Sequence, residues 1–250
     1  MTTGKLFGDL TDVYEALVDW PRRLAREGPF YRRWFERCQV RRVLDSACGT
    51  GHHAAMFHGW GLTVEGADLS AAMIERARGR YGEPPGLKWA VRSFDQPGAA
   101  EEPFDASICA GNSLAVAADR TTVDRAMQQM VSAVRPGGLI VVHLLNLWRL
   151  PDGPCVWQKC QRVRLPPREV LVVKGVHRSG GHGFVDLIVA DPSAVSEMDS
   201  ESVPLLGLEA DELGQMARAA GASSWEFFGD YAGASYVRDS SADLIMVAQK

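Results

Sequence analysis

The sequence predicts an α/β protein whose core is a mostly parallel sheet, and two observations carry that prediction. From Arg42 to Leu144, short apolar runs alternate with segments of helical periodicity. Such alternation builds right-handed strand–helix–strand units on parallel strands. The first apolar run, Val43 and Leu44, ends on Asp45 and leads into Ser46-Ala47-Cys48-Gly49-Thr50-Gly51. Glycines at 49 and 51 suit a tight strand-to-helix turn that a ligand approaches closely, and the helix that follows presents free N–H groups to that ligand. These features are the floor of a site for a nucleoside-bearing cofactor.

The elements follow in order. Residues 10–37 have helical spacing, with Tyr14, Leu17 and Val18 on one face. Pro21 starts a second helix. This segment precedes the first strand and is an addition to the sheet, a candidate lid. Residues 42–45 form the first strand, 51–61 a helix, and 62–68 a second strand ending on Asp68. Ser70 caps a helix through Met73, Ile74 and Ala77. Residues 87–91 and 104–110 are the third and fourth strands. Residues 122–134 are an amphipathic helix stopped by Pro136-Gly137-Gly138, and 139–144 the fifth strand.

The alternation then breaks. Residues 168–178 and 182–191 are β-rich runs around Ser179-Gly180-Gly181, a hairpin signal, and 155–163 adds a third strand. These form an antiparallel insert over the ligand edge of the sheet or beside it. A helix near 209–220 returns the chain to the core. The strands 223–230 and 242–250 close it, joined by an irregular loop that permits an antiparallel pair. The whole is expected as one domain, 1–250, with a helical lid at 1–40, a cofactor-binding core at 41–150, the insert at 151–205 and the end of the core at 206–250.

Composition sets outer bounds. The chain has 250 residues, 46% hydrophobic and 23% charged, ordinary for a soluble globular domain. No apolar run is long enough to cross a bilayer, and the N-terminus lacks the pattern of a secretory signal. Five cysteines without CxxC spacing point to a reducing cytoplasm and away from a structural zinc site. The net charge of −4 hides a basic cluster of Arg22, Arg23, Arg26, Arg32, Arg33, Arg37, Arg41 and Arg42. Such a cluster is either a solvated helix face or a nucleic-acid contact.

Gly49-x-Gly51-x-x-Ala54, with Asp68 seventeen residues past Gly51, also satisfies the dinucleotide pattern. Asp45 weighs against that reading. A carboxylate aimed into the loop repels a pyrophosphate and attracts the ammonium of an amino-acid-like cofactor.

Together, the VLDSACGTG run, the GADLS acid, FDASICAGNSL, the helix ending VRPGG and the closing LIMVAQK resemble a class I S-adenosylmethionine-dependent methyltransferase. ACGTG and GNS are similar to the glycine N-methyltransferase-like group and related bacterial small-molecule enzymes. The resemblance spans residues 43–250. It implies a Rossmann-like seven-stranded sheet with the last strand antiparallel. It also implies S-adenosyl-L-methionine as cofactor and S-adenosyl-L-homocysteine as product.

By the same resemblance, Ala47, Gly49 and Gly51 carry the backbone under the methionine part of the cofactor, and Asp45 faces its ammonium. Asp68 binds both ribose hydroxyls, and Leu69 and Met73 pack on adenine. Ser93, with Asp95 as an alternative, and Phe94 flank the adenine. Arg26 meets the cofactor carboxylate, and Cys109 to Asn112 line the methyl-transfer floor.

His143, at the carboxyl end of the fifth strand, is an acid–base candidate alongside Asn112. Tyr14, Asn146, Trp148 and Arg149 are candidates for the acceptor. No NPPY-type motif follows the fourth strand, which disfavours nucleobase amines. In the glycine-specific group an arginine directly precedes the Asn at the end of the fifth strand; here Leu145 precedes Asn146. The expected acceptor is therefore a small metabolite larger or less polar than glycine, methylated on N or O. The expected protein is a monomer or homodimer without nucleic-acid or membrane partners. The alternatives are an RNA methyltransferase using the basic segment and a cofactor-binding protein without catalysis.

Overall fold

Strand β1 (Arg42–Asp45) is buried through Val43, Leu44 and Asp45 and lies between two parallel neighbours, β2 (Thr63–Asp68) and β4 (Phe104–Cys109). In this computed structural model the described residues are 11–98, 102–165, 168–192 and 198–250. The sheet that β1 centres has seven strands. From one edge they run β3 (Leu87–Val91), β2, β1, β4, β5 (Val134–Leu145), β11 (Asp243–Gln249) and β10 (Ser224–Phe228). Strand β11 runs antiparallel to both its neighbours, and the other pairings are parallel. This is the predicted sheet with its last strand reversed. All parallel strands therefore deliver their carboxyl ends, Asp45, Asp68, Cys109 and Leu145, to one edge.

Helices α3 (His52–Gly59), α4 (Ala71–Tyr81), α5 (Arg120–Ala133) and α6 (Ala210–Ala219) connect the strands. Ser70 caps α4 by accepting from the Met73 N–H, and Asp119 caps α5 by accepting from the Thr122 N–H. The described chain divides into two units. The sheet unit comprises Trp20–Asn146 and Leu208–Lys250.

Helix α2 (Trp20–Arg37) begins one residue before Pro21 and belongs to this sheet unit. Phe30, Tyr31, Trp34 and Phe35 lie in its core with Phe57, Trp89, Ile108 and Tyr231. Residues 20–37 are thus part of the core, because four aromatic side chains on one helix bury too much apolar surface to stand apart as a lid.

The other unit holds α1 (Thr11–Leu17) and Leu147–Gly207. Its sheet is antiparallel with four strands in sequence order: β6 (Val156–Leu165), β7 (Arg168–Ser179), β8 (His182–Ala190) and β9 (Met198–Leu206). The sequence predicts the first three. It misses β9 because Met198–Leu206 mixes serine, acid and Pro204 and is mostly exposed or half-buried. Within this unit Lys159 Nζ donates to the Leu17 carbonyl and Gln161 Nε2 to that of Ala16, 3.0 Å away, which ties α1 to β6.

Candidate active site

The glycine loop is built as its sequence demands. Gly49 and Gly51 both adopt left-handed backbone angles, with φ of 54° and 85°. Their surroundings differ. A Cβ on Gly51 would stand 2.5 Å from Trp89 and 2.9 Å from Ala77, whereas a Cβ on Gly49 would meet nothing within 4 Å. Gly51 is thus required by packing, and Gly49 faces open space. We expect Gly51→Ala to lower unfolding free energy by about 2–5 kcal/mol, adding left-handed strain to overpacking. Gly49→Ala should cost only about 1–2 kcal/mol, the left-handed strain alone. Denaturant unfolding of the two variants separates these outcomes.

Asp45 is 2% exposed, and its Oδ2 has no hydrogen-bond partner among the described residues. A buried carboxylate oxygen left unpaired is costly. Burial pushes its pKa up to about 7, and the neighbouring Asp68 charge adds to the rise. The Ala47 N–H and the charge of Arg23 pull the other way without cancelling it. Asp68 sits at the tip of β2 and accepts from the Gly49 N–H at 2.9 Å through one oxygen and the Ser70 N–H at 2.9 Å through the other. Those two bonds fix the carboxylate plane and leave a lone pair on each oxygen for a ligand's hydroxyls. Burial also raises the Asp68 pKa. Next to it Leu69 is 74% exposed, an apolar side chain standing open beside the site.

The floor is formed by the tips of β4 and β5. Gly111 and Asn112 are both left-handed, with φ of 75° and 73°. The Gly111 N–H donates to His143 Nδ1 at 3.2 Å, and His143 Nε2 contacts Asp243 Oδ1 at 3.2 Å. Nδ1 is thus the acceptor and Nε2 carries the proton, so both ring nitrogens are engaged. Asn112 Oδ1 accepts from the Leu145 N–H, which stitches β4 to β5. His143 and Asn112 thus both link the tips of β4 and β5.

Met73 is 2% exposed and Cys109 is fully buried, so neither offers surface to a ligand. Burial pushes the Cys109 thiol up to about 12. Each sits at the expected spacing with its side chain turned into the core. Asn146 is buried with its donors on the Arg238 and Ser241 carbonyls at 2.7 and 2.8 Å, and its Oδ1 accepts from Tyr236 at 3.2 Å. It pins the 231–242 loop. Ser93 donates to Asp95 Oδ1 at 2.5 Å, and Phe94 beside it is half-buried. Trp148 and Arg149 belong to the insert unit, where the Arg178 guanidinium lies 5.8 Å over the Trp148 ring and Arg149 is exposed. The Tyr14 side chain lies outside the described residues.

The sequence reading missed the group that lies under this site. Glu27 is fully buried on α2 and accepts from Arg23 Nε at 2.9 Å, Arg26 at 3.3 Å and His53 Nε2 at 2.7 Å. Burial works against its charge, but the His53 hydrogen bond and Arg23 win, and Glu27 stays well below the usual carboxylate range. Burial lowers the His53 pKa, so His53 is a neutral donor to an ionised Glu27. Arg23 also reaches the floor, with a guanidinium nitrogen 3.4 Å from where a Gly111 Cβ would stand. Arg26, expected at the site, is 61% exposed and lies 5.6 Å over the Tyr231 ring. The i, i+4 spacing of Arg23 and Glu27 was the available signal. The remaining arginines of the basic cluster lie largely on rings: Arg32 over Trp60, Arg33 over Phe30, Arg37 over Trp34 and Arg42 over Phe104.

The tip of β1 thus carries an acid with an unpaired oxygen among the described residues, followed by a left-handed glycine turn and faced by a second acid at the tip of β2. Residues 43–138 match the family described as a methyltransferase domain. Among relatives, human glycine N-methyltransferase is 34% identical over 193 residues, covering 66% of this chain and 64% of that protein. The sugar N-methyltransferase KedS8 from Streptoalloteichus sp. superposes with a TM-score of 0.74 at 23% identity, over 91% of this chain and 87% of that one. SAM-bound CalS10, an amino pentose methyltransferase from Micromonospora echinaspora, superposes at 0.70 with 24% identity, over 95% and 96% of the two chains. The chain spans 64% and 52% of the length of the first two curated relatives it matches. Among the described residues no helix is long and apolar enough to cross a membrane.

Proposed function

We propose that this chain transfers a methyl group from S-adenosyl-L-methionine to an amine nitrogen of a small molecule, leaving S-adenosyl-L-homocysteine. The unpaired Asp45 Oδ2 carries the cofactor reading. A buried carboxylate beside a second carboxylate is poised for a cation, and the cofactor's ammonium is one. Asp68 would hold the ribose hydroxyls, Leu69 would cover the adenine, and Ser93, Asp95 and Phe94 would lie at its edge. Arg23, rather than Arg26, would meet the cofactor carboxylate, because its guanidinium reaches Gly111 while that of Arg26 is turned onto Tyr231.

When bound, the cofactor supplies an electrophilic methyl on sulfonium. The chain's own work is to align the acceptor with it and exclude water. A hydroxyl acceptor needs a base to take its proton, whereas a free amine attacks with its own lone pair. His143, the base candidate, has both nitrogens engaged, which favours nitrogen over oxygen. The names of the relatives, glycine and sugar N-methyltransferases, point the same way. The departure at Leu145 keeps an amino sugar or similar amine ahead of glycine. The arginines laid on rings within the chain weaken the RNA alternative.

Calorimetric titration tests the cofactor. We expect binding of S-adenosyl-L-methionine and S-adenosyl-L-homocysteine and none of NAD; binding of NAD alone overturns the reading. The pH dependence has a fixed sign. Only ionised Asp45 attracts the ammonium, and its pKa lies at about 7. Affinity should therefore rise roughly tenfold per pH unit below that value and level off above it. A profile flat from pH 5.5 to 8 contradicts Asp45 as the ammonium's partner.

A further inference from the structure

In the insert unit, three chemically different donor atoms converge. Cys155 Sγ, His177 Nδ1 and an Asp186 carboxylate oxygen all lie within 4.8 Å of one another, each on a half-buried residue. The sheet register explains how. Asp186 on β8 stands opposite Gly175 on β7, and His177 follows two residues along the same face. The missing side chain at 175 makes the room. A Cβ there would lie 2.5 Å from Cys155 Sγ, so glycine is what lets the thiol come down onto the sheet.

His177 is held in place by the ring opposite it on β8, Phe184, stacked at 4.7 Å and 11°. Asp186 is oriented by Ser202 on β9, whose hydroxyl donates to Oδ1 at 2.7 Å. The other oxygen, Oδ2, accepts from His177 Nδ1 at 2.6 Å and from the Cys155 thiol at 3.6 Å.

We propose that Cys155, His177 and Asp186 form a three-ligand site for a divalent cation of the zinc type. Thiolate, imidazole and carboxylate are the donors zinc takes, and three protein ligands leave a fourth position open. The S···O separation of 3.6 Å already suits a tetrahedron with metal–ligand distances of about 2.0–2.3 Å. The N···O pair at 2.6 Å opens by roughly 1 Å as the metal replaces the hydrogen bond between them. Ser202 supplies the outer hydrogen bond that orients a ligating carboxylate.

The protons balance. Binding releases the Cys155 proton to solvent, and the His177 proton moves from Nδ1 to Nε2, so affinity rises with pH. The metal would clamp the chain just before β6 to β7 and β8. The sequence offered no CxxC spacing here, because the ligands come together across strands. This proposal is independent of the methyl-transfer reading.

Cobalt(II) titration of the full-length, metal-stripped protein tests it. We expect one equivalent of Co²⁺ to give a thiolate-to-cobalt charge-transfer band in the near ultraviolet, reversed by Zn²⁺. Cys155→Ser should abolish the band and Cys160→Ser should leave it. Ser202→Ala should weaken Co²⁺ binding about 10–100-fold. Added Zn²⁺ should raise the thermal midpoint of the wild-type chain and not that of Asp186→Asn, a readout that serves if Cys155→Ser fails to fold. No band in folded wild-type protein, or a band that survives Cys155→Ser, overturns the proposal. Equal Zn²⁺ stabilisation of wild type and Asp186→Asn also overturns it.

Discussion

Asp45→Asn should weaken S-adenosyl-L-homocysteine binding by about 2–5 kcal/mol, roughly 30- to several-thousand-fold, while leaving the ligand-free protein as stable as wild type or more so. The two effects have one cause. Asp45 Oδ2 is buried without a partner among the described residues, and its pKa is pushed up to about 7 by burial and by Asp68. An acid whose folded pKa is raised stabilises the fold only while protonated. The ligand-free protein therefore loses stability as pH rises from about 4 to about 7, by a few kcal/mol. Asparagine keeps the shape and removes that ionisation. Bound to an ammonium, the same charge turns from a cost into an attraction. Calorimetry paired with urea unfolding at pH 8 reads both signs. A variant that binds as wild type, or one clearly destabilised at that pH, contradicts this role.

Glu27→Ala should destabilise the fold by about 3–5 kcal/mol, because removing one partner of a buried ionic cluster leaves the others uncompensated. Arg23 and His53 would lose the carboxylate that holds them 2.9 and 2.7 Å away. With its pKa below the usual range, Glu27 contributes stability above about pH 4.5 that is lost as pH falls. Glu27→Ala should therefore flatten the acid limb of the stability profile as well as lower it. A loss under about 1 kcal/mol in urea unfolding at pH 7 would mean that the cluster holds nothing together. Arg23 leans on Glu27, so the variant should also lose cofactor affinity.

The parallel strands were legible because each is a short apolar run ending in a polar tip, and the helices because their caps and stripes are local. Asp45, Gly49, Gly51 and Asp68 were legible for a related reason: the backbone itself points them at the edge where strands end. Side-chain direction one step from that edge was not. Met73 and Cys109 have the right spacing and the wrong facing, since one residue of phase turns a side chain from ligand to core. Arg26 and Arg23 differ in the same way around α2. Asn112, His143 and Asn146 also bind neighbouring strands and loops, and those partners come from distant parts of the chain. Strand β9 is held by its neighbour's backbone more than by its own composition. Glu27 was hidden because one acid in an arginine-rich helix reads as a solvated charge, whereas the fold buries it beneath the site.

Methyl transfer to an amine is tested by a product assay with S-adenosyl-L-methionine carrying a labelled methyl, offered to a panel of amino sugars, other small amines, phenols and RNA. We expect label on the nitrogen of a small amine, formed stoichiometrically with S-adenosyl-L-homocysteine and lost in Asp45→Asn. Label recovered in RNA, or no transfer to any small molecule by protein that binds the cofactor, would contradict it.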